Sequence, residues 1–166
     1  TGRPVYHRCM EGTGEDVLWM RASASMPLVS NVVEVGGRRL LDGGISDAIP
    51  VRYFQRQGYN RCVVILTQPL DYRKEKNKLL PVARAVLREY PRMVSAMAGR
   101  HFRYNAATRY VREEELAGRL FVIRPPEPLR VGSVEKDPEQ LDRVYQIGRT
   151  AALECLPRVL AYLEAQ

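Results

Sequence analysis

The chain has 166 residues, of which 45% are hydrophobic and 27% charged, a composition typical of a globular protein. No apolar run approaches the ~20 residues that a membrane-spanning helix needs, so the sequence predicts no transmembrane segment. The formal net charge is +7, from 26 basic and 19 acidic residues, and this balance favours an anionic partner, either a membrane surface or a nucleic acid.

The basic residues concentrate in two places, and their surroundings narrow the choice of partner. One group lies in a predicted loop (Arg73, Lys74, Lys76 and Lys78), and the other in a predicted helix (Arg100, His101, Arg103, Arg109 and Arg112). No helix-turn-helix, zinc-finger or RNA-binding strand signature accompanies them, so we expect no nucleic-acid partner. Attraction to lipid headgroups, about 1 kcal/mol per basic residue near an anionic surface, and an ordinary solvated face both remain open.

The cysteines and histidines give little sign of a disulfide framework or a metal site. Cys9, Cys62 and Cys155 form an odd set, which favours a reducing, cytoplasmic setting. His7 and His101 lie far apart, and neither has a Cys or His at metal-ligand spacing, so we expect neither a zinc site nor a cofactor.

The first third of the chain is predicted to hold a strand, a helix and a hairpin. We expect a strand over Arg3–Cys9 and a helix over Glu15–Ala24. The strands Asn31–Val35 and Arg38–Leu41 flank Gly36-Gly37, a two-residue loop of the kind that accepts positive φ at both central positions. This pattern predicts an antiparallel hairpin.

The remainder of the chain alternates helices and strands. The predicted elements, in order, are a helix over Pro50–Gln57 that Gly58 stops, a strand over Cys62–Leu66, a helix over Leu79–Met97 that Pro91 ends or kinks, a helix over His101–Glu115, a strand over Leu120–Ile123, and a final helix that begins at Asp137-Pro138 and is kinked by Pro157. The apolar run of the first strand, without alternation, predicts a parallel strand covered on both faces. The mixture predicts an α/β fold.

One carboxylate, Asp42, stands where chemistry is often found. It follows the apolar end of the second hairpin strand and directly precedes Gly43 and Gly44. Open α/β sheets bind ligands at the carboxyl ends of strands, and two glycines let the backbone turn sharply beside the acid. An ordinary Asp-Gly turn is the alternative interpretation.

The segments on either side of Asp42 carry a family resemblance. They are Arg21-Ala-Ser-Ala-Ser-Met-Pro-Leu-Val-Ser, the hairpin ending in Asp42-Gly-Gly, Ser46-Asp-Ala-Ile-Pro-Val, and the strand Cys62-Val-Val-Ile-Leu-Thr. Together they resemble the patatin-like phospholipase family, closely from about Tyr6 to Thr67 and loosely through Gln146-Ile-Gly-Arg-Thr-Ala.

The resemblance implies a serine lipid acyl hydrolase with a Ser-Asp dyad, in which Asp42 is the acid and Gly43 and Gly44 form the active-site turn. It also implies a three-layer α/β/α sandwich, of which residues 1–166 are the C-terminal portion of a single domain. The family's Gly-x-Ser-x-Gly elbow is missing from this sequence, and the nearest approach is Val131-Gly-Ser-Val-Glu. We therefore expect the nucleophile and the oxyanion donors to lie outside this chain, which would be inactive alone.

Several partner and site assignments follow from this interpretation. The expected substrate is a phospholipid or another acyl-ester lipid, and Arg73 and Lys74, after a strand's carboxyl end, are candidate substrate or membrane contacts. Asp47 is interpreted as the N-cap of the helix near Pro50. The protein is expected in the cytoplasm, with peripheral membrane association as an option.

Two further expectations concern assembly and an alternative role. A sheet with only a few of its strands leaves an edge and an apolar face uncovered, so the chain is expected to need the missing N-terminal half of its domain, or to form a homo-oligomer. A compact monomer in sedimentation would count against this. The alternative function is a catalytically inactive fragment that binds a membrane surface or acts as a scaffold.

Overall fold

The computed structural model describes residues 1–132 and 134–165, and the serine of the Val131-Gly-Ser-Val-Glu segment lies outside them. The elements are α1 (Glu15–Ser23), β1 (Val33–Val35), β2 (Arg38–Leu40), a 3-10 turn (Gly43–Ile45), α2 (Val51–Arg56), β3 (Cys62–Ile65), α3 (Leu80–Val86), α4 (Pro91–Leu116), β4 (Leu120–Ile123) and α5 (Pro138–Glu164). They form two compact units: Thr1–Pro50 with Lys74–Thr108, and Val51–Arg73 with Arg109–Gln166.

The first unit contains the predicted hairpin. Strands β1 and β2 pair antiparallel, with Val33 opposite Leu40 and Val35 opposite Arg38. Gly36 and Gly37 join them with φ values of 57° and 66°, which residues with a side chain rarely adopt. The prediction is therefore confirmed. The inner face of the hairpin packs on α1 through a small core formed by Trp19, Ala22, Val33, Val35 and Leu40.

A larger core in the same unit brings α3 and the start of α4 to the 3-10 turn. Its buried members are Ile45, Ala83, Leu87, Val94, Ala96 and Met97. The helix predicted over Leu79–Met97 is interrupted before Pro91, as expected: α3 ends at Val86, and a new helix begins at Pro91. Proline has no N–H and a fixed φ, so it suits the first turn of a helix and not its interior. From Pro91, α4 runs through the whole of the helix predicted over His101–Glu115.

The second unit is built on a parallel pair of strands. Cys62 of β3 lies opposite Leu120 of β4, and Ile65 lies opposite Ile123. Helix α5 contacts β4, and the hydroxyl of Tyr162 donates to the carbonyl of Arg119 at 2.7 Å. The prediction that both faces of β3 are buried does not hold for the described residues, since Ile65 is 74% exposed. The parallel pairing was predicted correctly, whereas the cover depends on other elements.

The ends of α5 and of α2 follow local sequence signals. Asp137 caps α5, because its carboxylate accepts the N–H of Glu139 at 3.0 Å, and Pro138 occupies the first turn. The helix continues through Pro157 as far as Glu164. Helix α2 ends before Gly58, whose φ is 92°. Both boundaries agree with the sequence prediction.

The predicted strand over Arg3–Cys9 does not form. A strand needs a neighbour for its backbone hydrogen bonds, and the described residues give this segment no strand partner. Side chains hold it instead: the hydroxyl of Tyr6 donates to Asp47 Oδ2 at 2.5 Å, and His7 Nε2 lies 3.0 Å from Asp16 Oδ1.

The part of the chain that the structure describes mixes helices with two small sheets, which is compatible with the predicted α/β class. One sheet is an antiparallel hairpin and the other is a parallel pair. Among the described residues, no helix is both long enough and apolar enough to cross a lipid bilayer.

Candidate active site

Asp42 lies two residues after the end of β2 and is the N-cap of the 3-10 turn Gly43–Ile45. Its Oδ1 accepts the N–H of Gly44 at 2.6 Å, so the carboxylate caps the turn that follows it. Its own N–H donates to the carbonyl of Ser25 at 2.8 Å, and Ser25 is buried. The acid is therefore fixed at both the side chain and the backbone.

The two glycines after Asp42 have different importance. Neither is among the glycines with positive φ, so the turn does not need glycine for its dihedral angles. A Cβ on Gly44 would lie 2.9 Å from Asp42 Oδ1 and 3.6 Å from Arg100 Nη2, whereas a Cβ on Gly43 would meet no atom within 4 Å. A side chain at position 44 would therefore displace the carboxylate of Asp42.

Two arginines of α4 donate hydrogen bonds to carbonyl groups of the turn. Arg100 Nε donates to the carbonyl of Gly44 at 2.9 Å, and Arg103 Nη2 donates to the carbonyl of Ile45 at 3.1 Å. Arg103 Nη2 also donates to the carbonyl of Ala96 in its own helix. Hydrogen bonds from a charged donor are stronger than those between neutral groups. The position of the turn is thus set by residues more than fifty positions away in the sequence.

One carboxylate oxygen of Asp42 is left without a partner among the described residues. Within the described part of the chain, Oδ2 has no hydrogen-bond partner and the carboxylate forms no ion pair. Asp42 borders a cavity of about 110 Å³, whose walls also include Trp19, Ser23, Leu41, Ser46 and Met93. A carboxylate with an unpaired oxygen can accept a hydrogen bond from a hydroxyl group placed within its reach.

The two candidate contact residues after β3 have different environments. The side chain of Asn105 accepts from the N–H of Lys74 at 2.8 Å and donates to its carbonyl at 3.1 Å. Lys74 Nζ lies 5.3 Å from the centre of the Tyr104 ring. Burial, with a smaller contribution from the charge of Arg100, lowers the pKa of Lys74. Arg73 is exposed and donates to the carbonyl of Tyr72 at 3.0 Å.

The other titratable residues considered from the sequence are not joined to Asp42. His101 is buried, and neither of its ring nitrogens has a hydrogen-bond partner among residues 1–132 and 134–165. Asp47 accepts the hydroxyl of Tyr6, and its predicted capping of α2 stays a prediction.

Sequence reasoning missed one group of side chains. His7, Cys9 and Asp16 each place a possible ligand atom within 4.8 Å of the others. The sequence shows the spacing His-x-Cys, but it does not show that the loop before α1 folds so that Asp16 lies beside His7.

Comparison with known proteins identifies the class of the segment that holds Asp42. Residues 10–54 match the patatin-like phospholipase family, a family of hydrolases, and Asp42, Gly43 and Gly44 lie within this match. The chain thus carries a segment of the patatin-like phospholipase family, and the resemblance predicted from the sequence is confirmed over that short stretch.

Two further similarities extend beyond this segment. Residues 90–164 match a family described as a domain of unknown function (DUF6363), and Arg100 and Arg103 belong to this second match. A protein of Escherichia coli (strain K12) named "Uncharacterized protein YjjU" is 31% identical over 133 residues, which is 78% of this chain. The aligned region is 37% of that relative, so the chain spans well under half of the relative's length.

Proposed function

We propose that this chain supplies the acidic half of a Ser-Asp dyad in a lipid acyl hydrolase, with Asp42 as the acid. The observation that carries the proposal is that Asp42 lines a cavity and has one carboxylate oxygen fixed by the N–H of Gly44, while the other has no hydrogen-bond partner among the described residues. The family match over residues 10–54 supports hydrolase chemistry for this segment.

In the proposed reaction, Asp42 Oδ2 accepts the proton of a serine hydroxyl while the serine oxygen attacks the ester carbonyl. The proton then passes to the leaving alcohol as the acyl-serine forms, and water later releases the fatty acid by the same steps in reverse. A carboxylate is a weak base at neutral pH, so this step depends on a dry site and on oxyanion donors that stabilise the tetrahedral intermediate.

The serine and the oxyanion donors would come from residues outside this chain, in the N-terminal half of the same domain. That half would also complete a three-layer α/β/α sandwich. The exposed apolar side chains of the second unit support this, because Ile65, Leu153 and Leu160 are each at least half exposed. An isolated chain with such a surface would associate or be unstable, and sedimentation would detect the association.

The proposed substrate is a phospholipid or another acyl-ester lipid at an anionic membrane surface reached from the cytoplasm. Lys74 supports contact with an anionic headgroup, because it is a half-buried cation whose backbone is fixed by Asn105. Arg73, which is exposed, would contact the membrane surface.

A catalytically inactive fragment that binds a membrane surface is the second candidate. The net charge of +7 favours it, since anionic lipid surfaces attract such proteins without any catalytic group. It differs from the hydrolase proposal in requiring neither Asp42 nor a serine partner.

A direct assay separates the two candidates. The coding sequence upstream of Thr1 would be expressed together with this chain, and release of fatty acid from a short-chain ester and from anionic phospholipid vesicles would be measured. The hydrolase proposal expects turnover by the longer protein and none by the 166 residues alone. Vesicle binding without turnover in the longer protein would support the scaffold instead.

A further inference from the structure

A cluster of three side chains before and at the start of α1 takes no part in the proposed hydrolysis. His7, Cys9 and Asp16 bring a ring nitrogen, a thiol sulfur and a carboxylate oxygen within 4.8 Å of one another. The closest pair is His7 Nε2 and Asp16 Oδ1, at 3.0 Å. These are three different donor types on one short stretch of chain.

Asp16 is fixed by the loop that precedes it. Its Oδ2 accepts the N–H groups of Met10 at 2.8 Å, Glu11 at 2.8 Å and Gly12 at 3.0 Å. These three hydrogen bonds fix the orientation of the carboxylate, and Oδ1 is the oxygen directed at His7.

His7 is oriented by stacking. Its ring lies parallel to that of Trp19, with the ring centres 4.3 Å apart and an angle of 6° between the planes. The indole N–H of Trp19 donates to Glu15 Oε1 at 3.2 Å, which fixes Trp19 in turn. His7 keeps 33% of its side chain exposed, and Cys9 is an exposed free cysteine. An ion can therefore reach the cluster from solvent.

The distances suit a tetrahedral metal ion. Zinc binds histidine nitrogen and carboxylate oxygen at about 2.0–2.2 Å and thiolate sulfur at about 2.3 Å, which places neighbouring ligand atoms roughly 3.3–3.6 Å apart. The nitrogen-to-oxygen distance of 3.0 Å needs an adjustment of a few tenths of an ångström. The Cys9 sulfur lies within 4.8 Å of both of these atoms and has to move closer to complete the set.

The donor set also selects among metals. Thiolate and imidazole favour zinc and similar borderline-soft ions, whereas calcium and magnesium prefer sets made only of oxygen. We propose that His7, Cys9 and Asp16 bind a zinc-class divalent cation, with three protein ligands and a water in the fourth position. On binding, the Cys9 thiol releases its proton to solvent.

The proposal is tested on the longer protein, in which this chain is expressed with its upstream coding sequence. The protein is stripped of metal with a chelator and titrated with cobalt(II) and then with zinc. We expect one cobalt ion per chain, a thiolate-to-cobalt charge-transfer band, and loss of that band when zinc displaces the cobalt. Binding should release a proton and raise the melting temperature.

Three variants make the test specific. Cys9→Ser should lose the charge-transfer band and bind zinc at least about 10–100-fold more weakly. His7→Phe, which keeps a ring to stack on Trp19, should also bind zinc more weakly, whereas Cys155→Ser, a matched thiol control, should bind as wild type. Asp16→Asn is avoided, because Asp16 also organises the loop. Wild-type affinity in Cys9→Ser or His7→Phe, or no saturable ion in the wild type, would overturn the proposal.

Discussion

Two regions of this protein are built on different interactions. In the turn region, residues 42–47 with Arg100 and Arg103, side chains hold backbone atoms through hydrogen bonds. In the sheet region, formed by β3, β4 and α5, apolar packing dominates and is incomplete, because Ile65, Leu153 and Leu160 remain exposed. A groove of about 560 Å³ runs along this region, lined largely by apolar side chains.

The difference shows that the hydrogen bonds around Asp42 can form although the apolar surface of the sheet region is not fully covered. The turn region satisfies the polar groups around Asp42 while leaving one carboxylate oxygen free. The sheet region has only two paired strands and lacks cover for one face of β3. The turn around Asp42 is therefore held by contacts within these residues, whereas the apolar surface of the sheet region is left uncovered by them. The following changes test that contrast.

The largest effect is expected from Asp42→Asn in the active enzyme. The amide cannot take the serine proton, so kcat should fall roughly a thousandfold or more, by analogy with the loss of the acid in other hydrolase sites. Asp71→Asn, a change at an exposed acid, is the control and should retain full turnover. Similar kcat values for the two variants would remove Asp42 from the chemistry.

A smaller effect is expected from Arg100→Leu. This change removes the hydrogen bond from Nε to the carbonyl of Gly44, so the turn should lose its fixed position. A misplaced reacting group slows the chemical step more than it weakens substrate binding. We therefore expect kcat to fall about 10–100-fold with little change in KM. Arg84→Leu, at an exposed arginine of α3, should leave both constants unchanged. An effect on KM alone would point to substrate binding by Arg100.

In the second unit, a packing change should act on stability. Val111 is 1% exposed, and Val111→Ala should lower the free energy of unfolding by about 2 kcal/mol through lost burial and a residual cavity. Val82→Ala, at a half-exposed position, should change it little. Urea denaturation measures both, and equal losses would mean that the surface of α3 is covered by a partner.

The smallest effect concerns pH. Arg119, by hydrogen bonding, lowers the pKa of Glu114 to about 2, and Gln55 contributes a second hydrogen bond. A carboxyl whose pKa is depressed stabilises the folded state above its unfolded pKa, near 4.3, and that stabilisation is lost as the pH falls towards 2. Glu114→Gln should flatten the pH dependence of unfolding in this window. Glu113→Gln, at the exposed neighbour, should not.

The elements that could be predicted from the sequence are those encoded by neighbouring residues. Gly36-Gly37 specifies its hairpin because both positions need positive φ, and Asp137-Pro138 specifies the start of α5 through a local cap. Pro91 was placed correctly as an interruption, but its role as the beginning of α4 was missed. A proline boundary can end one helix or begin another, and the sequence pattern alone does not distinguish them.

The contacts that define the candidate site were less accessible to sequence reasoning. Asp42 and Gly44 are close in the chain and were found, but Arg100 and Arg103 reach carbonyls 56 and 58 residues away. The predicted strand over Arg3–Cys9 failed for a similar reason, since a strand depends on a partner elsewhere. Asp16 approaches His7 only because three backbone N–H groups wrap the intervening loop around its carboxylate.

The most direct test of the central claim is covalent labelling of the active enzyme by a fluorophosphonate, which reacts with serines activated by a general base. We predict that Asp42→Asn abolishes the labelling, whereas Asp71→Asn preserves it. Labelling of Asp42→Asn at the wild-type rate would show that the serine is activated without Asp42, and the dyad assignment would be wrong.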